Sequence, residues 1–228
     1  MNKRSLLQSA LTLALAAGFA PGALAQDKPL KIGVTAGPHA QIFEQVKKVA
    51  EKDGLKIQVI EFSDYVQPNA ALSAGDLDAN AYQHKPYLDA QVKDRGYKIV
   101  SVGYTVNFPM GLYSKKVKSL NELKQGARFG LPNDPTNGGR ALLLLQDNGL
   151  IKLKDGAGLK ATPLDVVSNP KKLKFVELDA AQLPRSLDDL DASAVNTNFA
   201  IPAGLNPTKD AIVLEDARFI ANTDLVIG

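Results

Sequence analysis

The sequence contains no cysteine. It can form no disulfide, no thiolate metal site and no cysteine nucleophile, and it offers no thiol for a lipid anchor after a leader segment. Histidine is nearly as scarce. His39 and His84 are the whole supply, and no His/Asp/Glu cluster stands at metal-ligand spacing. Also missing are the Gly-x-Ser-x-Gly elbow, the phosphate-cradling glycine loop and the dinucleotide fingerprint. There is no surplus of one charge either: 27 Lys and Arg stand against 24 Asp and Glu, with the lysines dispersed. Such a balance leaves no electrostatic footprint for nucleic acid. These absences weaken catalytic, metal and nucleic-acid readings and leave small-molecule binding the stronger one.

The amino terminus has the plan of an export signal. Lys3 and Arg4 precede an apolar run over 6–19, and Ala23-Leu24-Ala25 has the small-x-small form of a signal-peptidase site. The run is shorter than the roughly 20 apolar residues of a spanning helix, and Pro21-Gly22 follows it. Residues 1–25 are therefore predicted to be a cleaved signal peptide, with the mature chain starting at Gln26. Cleavage removes two basic residues and no acidic one, leaving a charge near +1. No later segment is long and apolar enough to cross a membrane.

Beyond the leader, short strands alternate with helices. Segment 30–34 (LKIGV) reads as a strand, Ile42, Phe43, Val46, Val49 and Ala50 fall at helical spacing, and 55–62 (LKIQVIEF) alternates like a strand. A helix from Ser63 to about Gly75, a strand over 77–83, a helix over 86–95 and a strand over 98–106 follow. The second half repeats the rhythm, with strands predicted over 127–131, 174–178, 192–196 and 211–214. This is the signature of an α/β protein with mostly parallel sheets. Asn107-Phe108-Pro109 and Asn206-Pro207 are the expected joints between two lobes.

One stretch repeats. DLDANAYQH (76–84) aligns with DLDASAVNT (189–197), and each reads as a buried strand whose carboxyl end turns polar. Ligands of open α/β sheets sit beyond such ends. Tyr82, Gln83 and His84 would then face Asn196, Thr197 and Asn198 across a cleft.

Segment 131–145 (LPNDPTNGGRALLLL) sets polar residues at the mouth of a greasy helix. It supports two readings. One is a capped turn before a buried helix. The other is an anion site, where free backbone N–H groups and the helix dipole act with the Arg140 guanidinium on a carboxylate. Tyr65, Tyr82 and His84 add flat, partly polar surfaces, and Asn137, Asn196 and Asn198 add amides. Together they suit a small zwitterion with an apolar side chain. A hydrolase using His84 with Asp78 or Asp89 is the weaker alternative, and an adhesin-like surface protein on the same fold is another.

Three long segments, 62–89 (FSDYVQPNAALSAGDLDANAYQHKPYLD), 132–145 (PNDPTNGGRALLLL) and 183–200 (LPRSLDDLDASAVNTNFA), resemble the NlpA/MetQ family in order and over nearly the whole mature chain. That family comprises methionine-binding substrate-binding proteins of bacterial ABC importers. The resemblance implies a periplasmic-binding-protein type II fold, two α/β lobes with a ligand cleft between them. Lobe 1 would hold 30–106 plus 206–228, and lobe 2 would hold 107–205. It implies methionine of either hand, or a similar apolar amino acid, as ligand. An inner-membrane permease and its ATPase would be partners, with no cofactor and no catalysis. By family analogy Arg140 binds the ligand carboxylate with Asn137 nearby, Tyr65, Tyr82 and His84 line the side-chain pocket, Asn196 bonds the head group, and Asn222 corresponds to a further family asparagine.

Two departures stand out. Gln26 occupies the place of the lipidated cysteine, from which a freely periplasmic protein without a lipobox is expected. The chain also stops at Gly228, where relatives continue through further helices, so a first lobe cut short is expected.

Overall fold

The computed structural model describes residues 28–106, 108–216 and the backbone of 225–227. The predicted signal peptide, Asn107 and Asn222 lie outside the described residues. The first half runs β1 (Leu30–Thr35), α1 (Pro38–Lys52), β2 (Ile57–Phe62), α2 (Gln67–Ala74), β3 (Ala79–His84), α3 (Lys85–Arg95) and β4 (Gly103–Tyr104). The second runs β5 (Met110–Tyr113), β6 (Arg128–Pro132), α4 (Asn137–Asp147), β7 (Lys152–Leu153), β8 (Val166–Ser168), β9 (Lys174–Leu178), α5 (Leu183–Ser186), β10 (Ala192–Asn196), α6 (Thr197–Ala200), α7 (Pro207–Asp210), β11 (Val213–Leu214) and β12 (Leu225–Ile227).

Ten of these strands build two five-stranded sheets, ordered β2-β1-β3-β12-β4 and β11-β5-β10-β6-β9, and β7 pairs with β8 alone. In the first, β1 lies parallel to β2 and β3, and β12 runs antiparallel to β3. In the second, β6 lies parallel to β9 and β10, β5 runs antiparallel to β10, and β11, antiparallel to β5, runs the same way as β10. Each parallel core has helices from its own connections, because a parallel strand needs a long crossover to return. The apolar stripe of α1, with Ala40 and Phe43, packs on Ile32, Val34 and Ala81. The leucine run of α4 is explained in the same way: Leu142, Leu144 and Leu145 join Met110, Leu112, Phe129 and Leu131 in the largest core.

The repeated tetrapeptide is a structural device. Asp78 Oδ2 accepts from Lys31 N at 2.8 Å, and Asp78 N donates to Lys31 O at 2.9 Å. Asp191 Oδ2 accepts from Arg128 N at 2.7 Å, and Asp191 N donates to Arg128 O at 2.9 Å. The second aspartate of each DLDA thus staples the start of the neighbouring parallel strand. The leucine before it, Leu77 or Leu190, is buried against a glycine of that strand. A Cβ on Gly33 would come 2.5 Å from Leu77 Cδ1, and one on Gly130 would come 2.6 Å from Leu190 Cδ1.

Two boundaries differ from the sequence reading. Of the strand expected over 98–106, among the described residues only Gly103–Tyr104 pairs, against β12, and Val100 and Val102 are exposed. The returning segment expected in lobe 1 from 206 starts instead in the second sheet. Val213 pairs with Leu112, and Ile212 and Val213 pack on the second core. Among the described residues of this returning segment, β12 alone enters the first sheet. No helix of the described residues is long and apolar enough to cross a membrane.

Candidate functional site

The carboxyl ends of β1, β2 and β3 face those of β6 and β10, and the loops at those ends enclose a cavity of about 30 Å³. His39, Tyr65, Tyr82, His84 and Tyr87 line it from one side, Phe108 from the crossing segment, and Asn137, Arg140, Asn196 and Asn198 from the other. The six described residues expected at the site, Tyr65, Tyr82, His84, Asn137, Arg140 and Asn196, are therefore brought together. All of the lining residues but Tyr65 and Phe108 are buried.

The aromatic wall is ordered by one carbonyl. Tyr82 Oη and Tyr87 Oη both donate to Tyr65 O, at 3.0 and 2.8 Å, and the Tyr65 ring lies against Tyr82, Tyr87 and Phe199. Burial raises all three phenols well above the ordinary range, so each stays an O–H donor. Tyr65 Oη reaches across the cleft to Asn198 Oδ1 at 2.6 Å.

Asn137 is the hub opposite. Its Oδ1 accepts from His84 Nε2 at 3.2 Å and from Asn196 Nδ2 at 3.0 Å. The histidine roles follow from the other ring nitrogen, because His84 Nδ1 accepts from Tyr87 N at 3.1 Å and leaves the proton on Nε2. Burial, with the nearby Arg140 charge, lowers the His84 pKa to about 3, and burial lowers that of His39 to about 4. Both rings are neutral at pH 7. The carboxylates weighed as His84 partners are engaged elsewhere: Asp89 with Lys85, and Asp78 at the start of β1. His84 holds Asn137 in place.

The helix start of α4 is already occupied by a carboxylate of its own chain. Asp134 Oδ1 accepts from Asn137 N at 2.8 Å and Thr136 N at 3.2 Å, and Asp134 Oδ2 accepts from Asn137 Nδ2 at 3.0 Å. Burial pushes the Asp134 pKa up while these hydrogen bonds oppose it. Of the two readings of this segment, the backbone N–H groups thus take the capped turn. Arg140 is likewise held: Nε donates to Glu215 Oε1 at 2.7 Å, Nη2 donates to Glu215 Oε2, and Nη2 also reaches Phe108 O at 3.0 Å.

What the cavity leaves over is specific. Among the described residues, Asn196 Oδ1, Asn198 Nδ2 and His39 Nε2 are buried and meet no hydrogen-bond partner. An unpaired buried polar atom costs about 1–3 kcal/mol. Here an acceptor and a donor, two residues apart in the chain, share one cavity with an aromatic wall. That arrangement suits a ligand carrying both an ammonium and a carboxylate beside an apolar side chain.

The comparisons with known proteins decide the family. A profile described as NlpA lipoprotein matches residues 30–227. The chain belongs to the NlpA lipoprotein family. It is 60% identical over 190 residues to the D-methionine-binding lipoprotein MetQ of Salmonella typhimurium, covering 82% of this chain and 70% of that protein. It is 53% identical over 188 residues to outer membrane lipoprotein 3 of Mannheimia haemolytica, covering 82% and 72%. A nutrient binding protein from Burkholderia cenocepacia, solved bound to methionine, is 60% identical with a TM-score of 0.84, covering 87% of this chain and 83% of that one. The NlpA-family chain accordingly has the periplasmic-binding-protein fold.

Membership corrects one expectation. The family and these relatives are named lipoproteins, which imply membrane anchoring, and this overturns the freely periplasmic protein inferred from Gln26. The absence of cysteine from the sequence stands; the localisation drawn from it does not.

Three lining residues of this NlpA-family site escaped the sequence reading. His39 stands in the first turn of α1, just after Gly37-Pro38 and four residues beyond the end of β1. Tyr87 stands one helical turn beyond His84. Phe108 sat in the expected joint between lobes. None of the three falls in the repeated stretches 76–84 and 189–197, which marked the other strand ends.

Proposed function

We propose that the protein binds methionine, or an apolar amino acid of the same shape, between two lobes that part and close, and delivers it to the permease and ATPase of an ABC importer. Residues 30–106 with 225–227 form one lobe and 108–214 the other. The observation that carries this reading is the set of orphaned atoms in the cavity. Asn196 Oδ1 would accept from the ligand ammonium and Asn198 Nδ2 would donate to its carboxylate, with the Arg140 charge beside them. Tyr65, Tyr82, Tyr87 and Phe108 would hold the side chain, and a thioether gains about 0.3–1.5 kcal/mol against an aromatic ring. The names of the relatives support the same ligand.

The reading assigns no catalysis. Among the described residues His84 has no carboxylate partner; it sits neutral and is spent on Asn137 and Tyr87. Native mass spectrometry of freshly purified protein tests the ligand class. An added mass of one methionine, or of one leucine-sized amino acid, is expected; a bare chain that also takes up no amino acid on titration would refute it.

A further inference from the structure

The pairing of Arg140 with Glu215 places a full negative charge against the cation expected to attract the ligand. Both side chains are nearly sealed, at 3% and 1% exposure. Glu215 is also fixed to the outgoing crossing segment. Its Oε2 accepts from Met110 N at 2.9 Å, and its own N donates to Met110 O at 2.9 Å. Arg140 completes the ring through Phe108 O. The guanidinium at the cavity wall is therefore aimed and neutralised by a residue 75 positions away.

We propose that Glu215 is a specificity-determining residue: by cancelling the Arg140 charge while fixing its fork, it makes the cleft select ligands of no net charge and reject anions. This rests on the reading of the cleft as an amino-acid site. The other ionisable groups at the wall do not restore a positive balance. Both histidines are neutral at pH 7, and Asp134 faces the helix start that it caps. A zwitterion brings no net charge into this closed space. An anion would bring an uncompensated one, and buried charge without a partner is strongly disfavoured.

The test is Glu215→Gln in the full chain, which keeps an oxygen acceptor but removes the charge. Three probes share one side chain and nearly one shape: L-methionine, its 2-hydroxy analogue (an anion) and L-methioninamide (a cation). Calorimetry on the wild type is expected to rank methionine first. In Glu215→Gln the affinity ratio of the hydroxy analogue to methioninamide should rise by roughly tenfold or more, as expected for a changed charge pair in a closed site. Glu215→Asp, which keeps the charge, should hold the wild-type ratio even where all three affinities fall. Equal losses for all probes in Glu215→Gln would overturn the proposal and leave Glu215 a structural residue.

If the wild type binds none of the three, the amino-acid reading fails, and the charge assignment is read separately from melting in sodium acetate against sodium chloride at equal ionic strength. Acetate should then raise the midpoint of Glu215→Gln and not that of the wild type. The same response in both would overturn it. A Glu215→Gln chain that fails to melt cooperatively is replaced by the Arg140→Gln/Glu215→Gln pair, whose probe ratio should return toward the wild type; a ratio unlike it would overturn the proposal.

Discussion

Replacing Gly37 with alanine tests the closure of the cleft at one atom. Gly37 sits between β1 and α1 at φ 89° and ψ −134°, a region that costs a residue with a side chain about 1–3 kcal/mol. That strain acts wherever the turn is formed, so it should lower the melting midpoint by roughly 3–10 °C in a chain of this size. A second cost exists only when the lobes meet. A Cβ at Gly37 would lie 2.8 Å from Pro202 Cγ and 3.1 Å from Asn198 O, both on the opposite side of the cleft. Relieving such overpacking costs about 1–3 kcal/mol, which appears as a methionine affinity weakened by roughly 5- to 100-fold. Calorimetry and thermal melting of Gly37→Ala, run together, separate the two costs. A lowered midpoint with unchanged affinity would refute the claim that this contact forms on closure. No change in either would refute the geometry of the turn.

Tyr65→Phe should weaken methionine binding by roughly 5- to 30-fold with little change in melting, because it deletes the bond to Asn198 across the cleft and strands a buried acceptor; calorimetry reads the loss. Stability should fall as pH drops from about 6.5 toward 4, since the unfolded chain protonates both histidines while His39 and His84 stay neutral down to about 4 and about 3. Each contributes a slope of roughly 1 kcal/mol per pH unit in that window, and stability is flat with respect to them above pH 7. Urea melts of His39→Gln should show about half the slope. Asp191→Ala should lower stability by about 1–2 kcal/mol through the lost bond to Arg128 N and leave ligand affinity within twofold, as melting and calorimetry will show.

Much of this architecture is legible in the sequence because it is written in local patterns. The two DLDA stretches announce equivalent strands, and the structure shows why they match: each aspartate and leucine does the same work on a neighbouring strand. The strand ends they mark carry Tyr82, His84 and Asn196 to the cavity. The partner of Arg140 was not legible, because Glu215 comes from a distant crossing segment and an arginine gives no sign of which carboxylate it meets. Asp134 was passed over for a related reason. A carboxylate three residues before a helix start reads as an ordinary turn residue until the N–H groups it caps are located. The short β4 and the entry of β11 into the second sheet depend on pairings between distant segments, which periodicity does not encode.

Asn196 Oδ1, Asn198 Nδ2 and His39 Nε2, beside the aromatic wall, would bond the head group of an amino acid with an uncharged side chain. Titration calorimetry of ligand-stripped protein against L-methionine, D-methionine, leucine and glutamate tests it most directly. One site per chain is expected for methionine of at least one hand, with weaker heat for leucine and none for glutamate. No heat with either methionine, or glutamate bound as tightly as methionine, would contradict it.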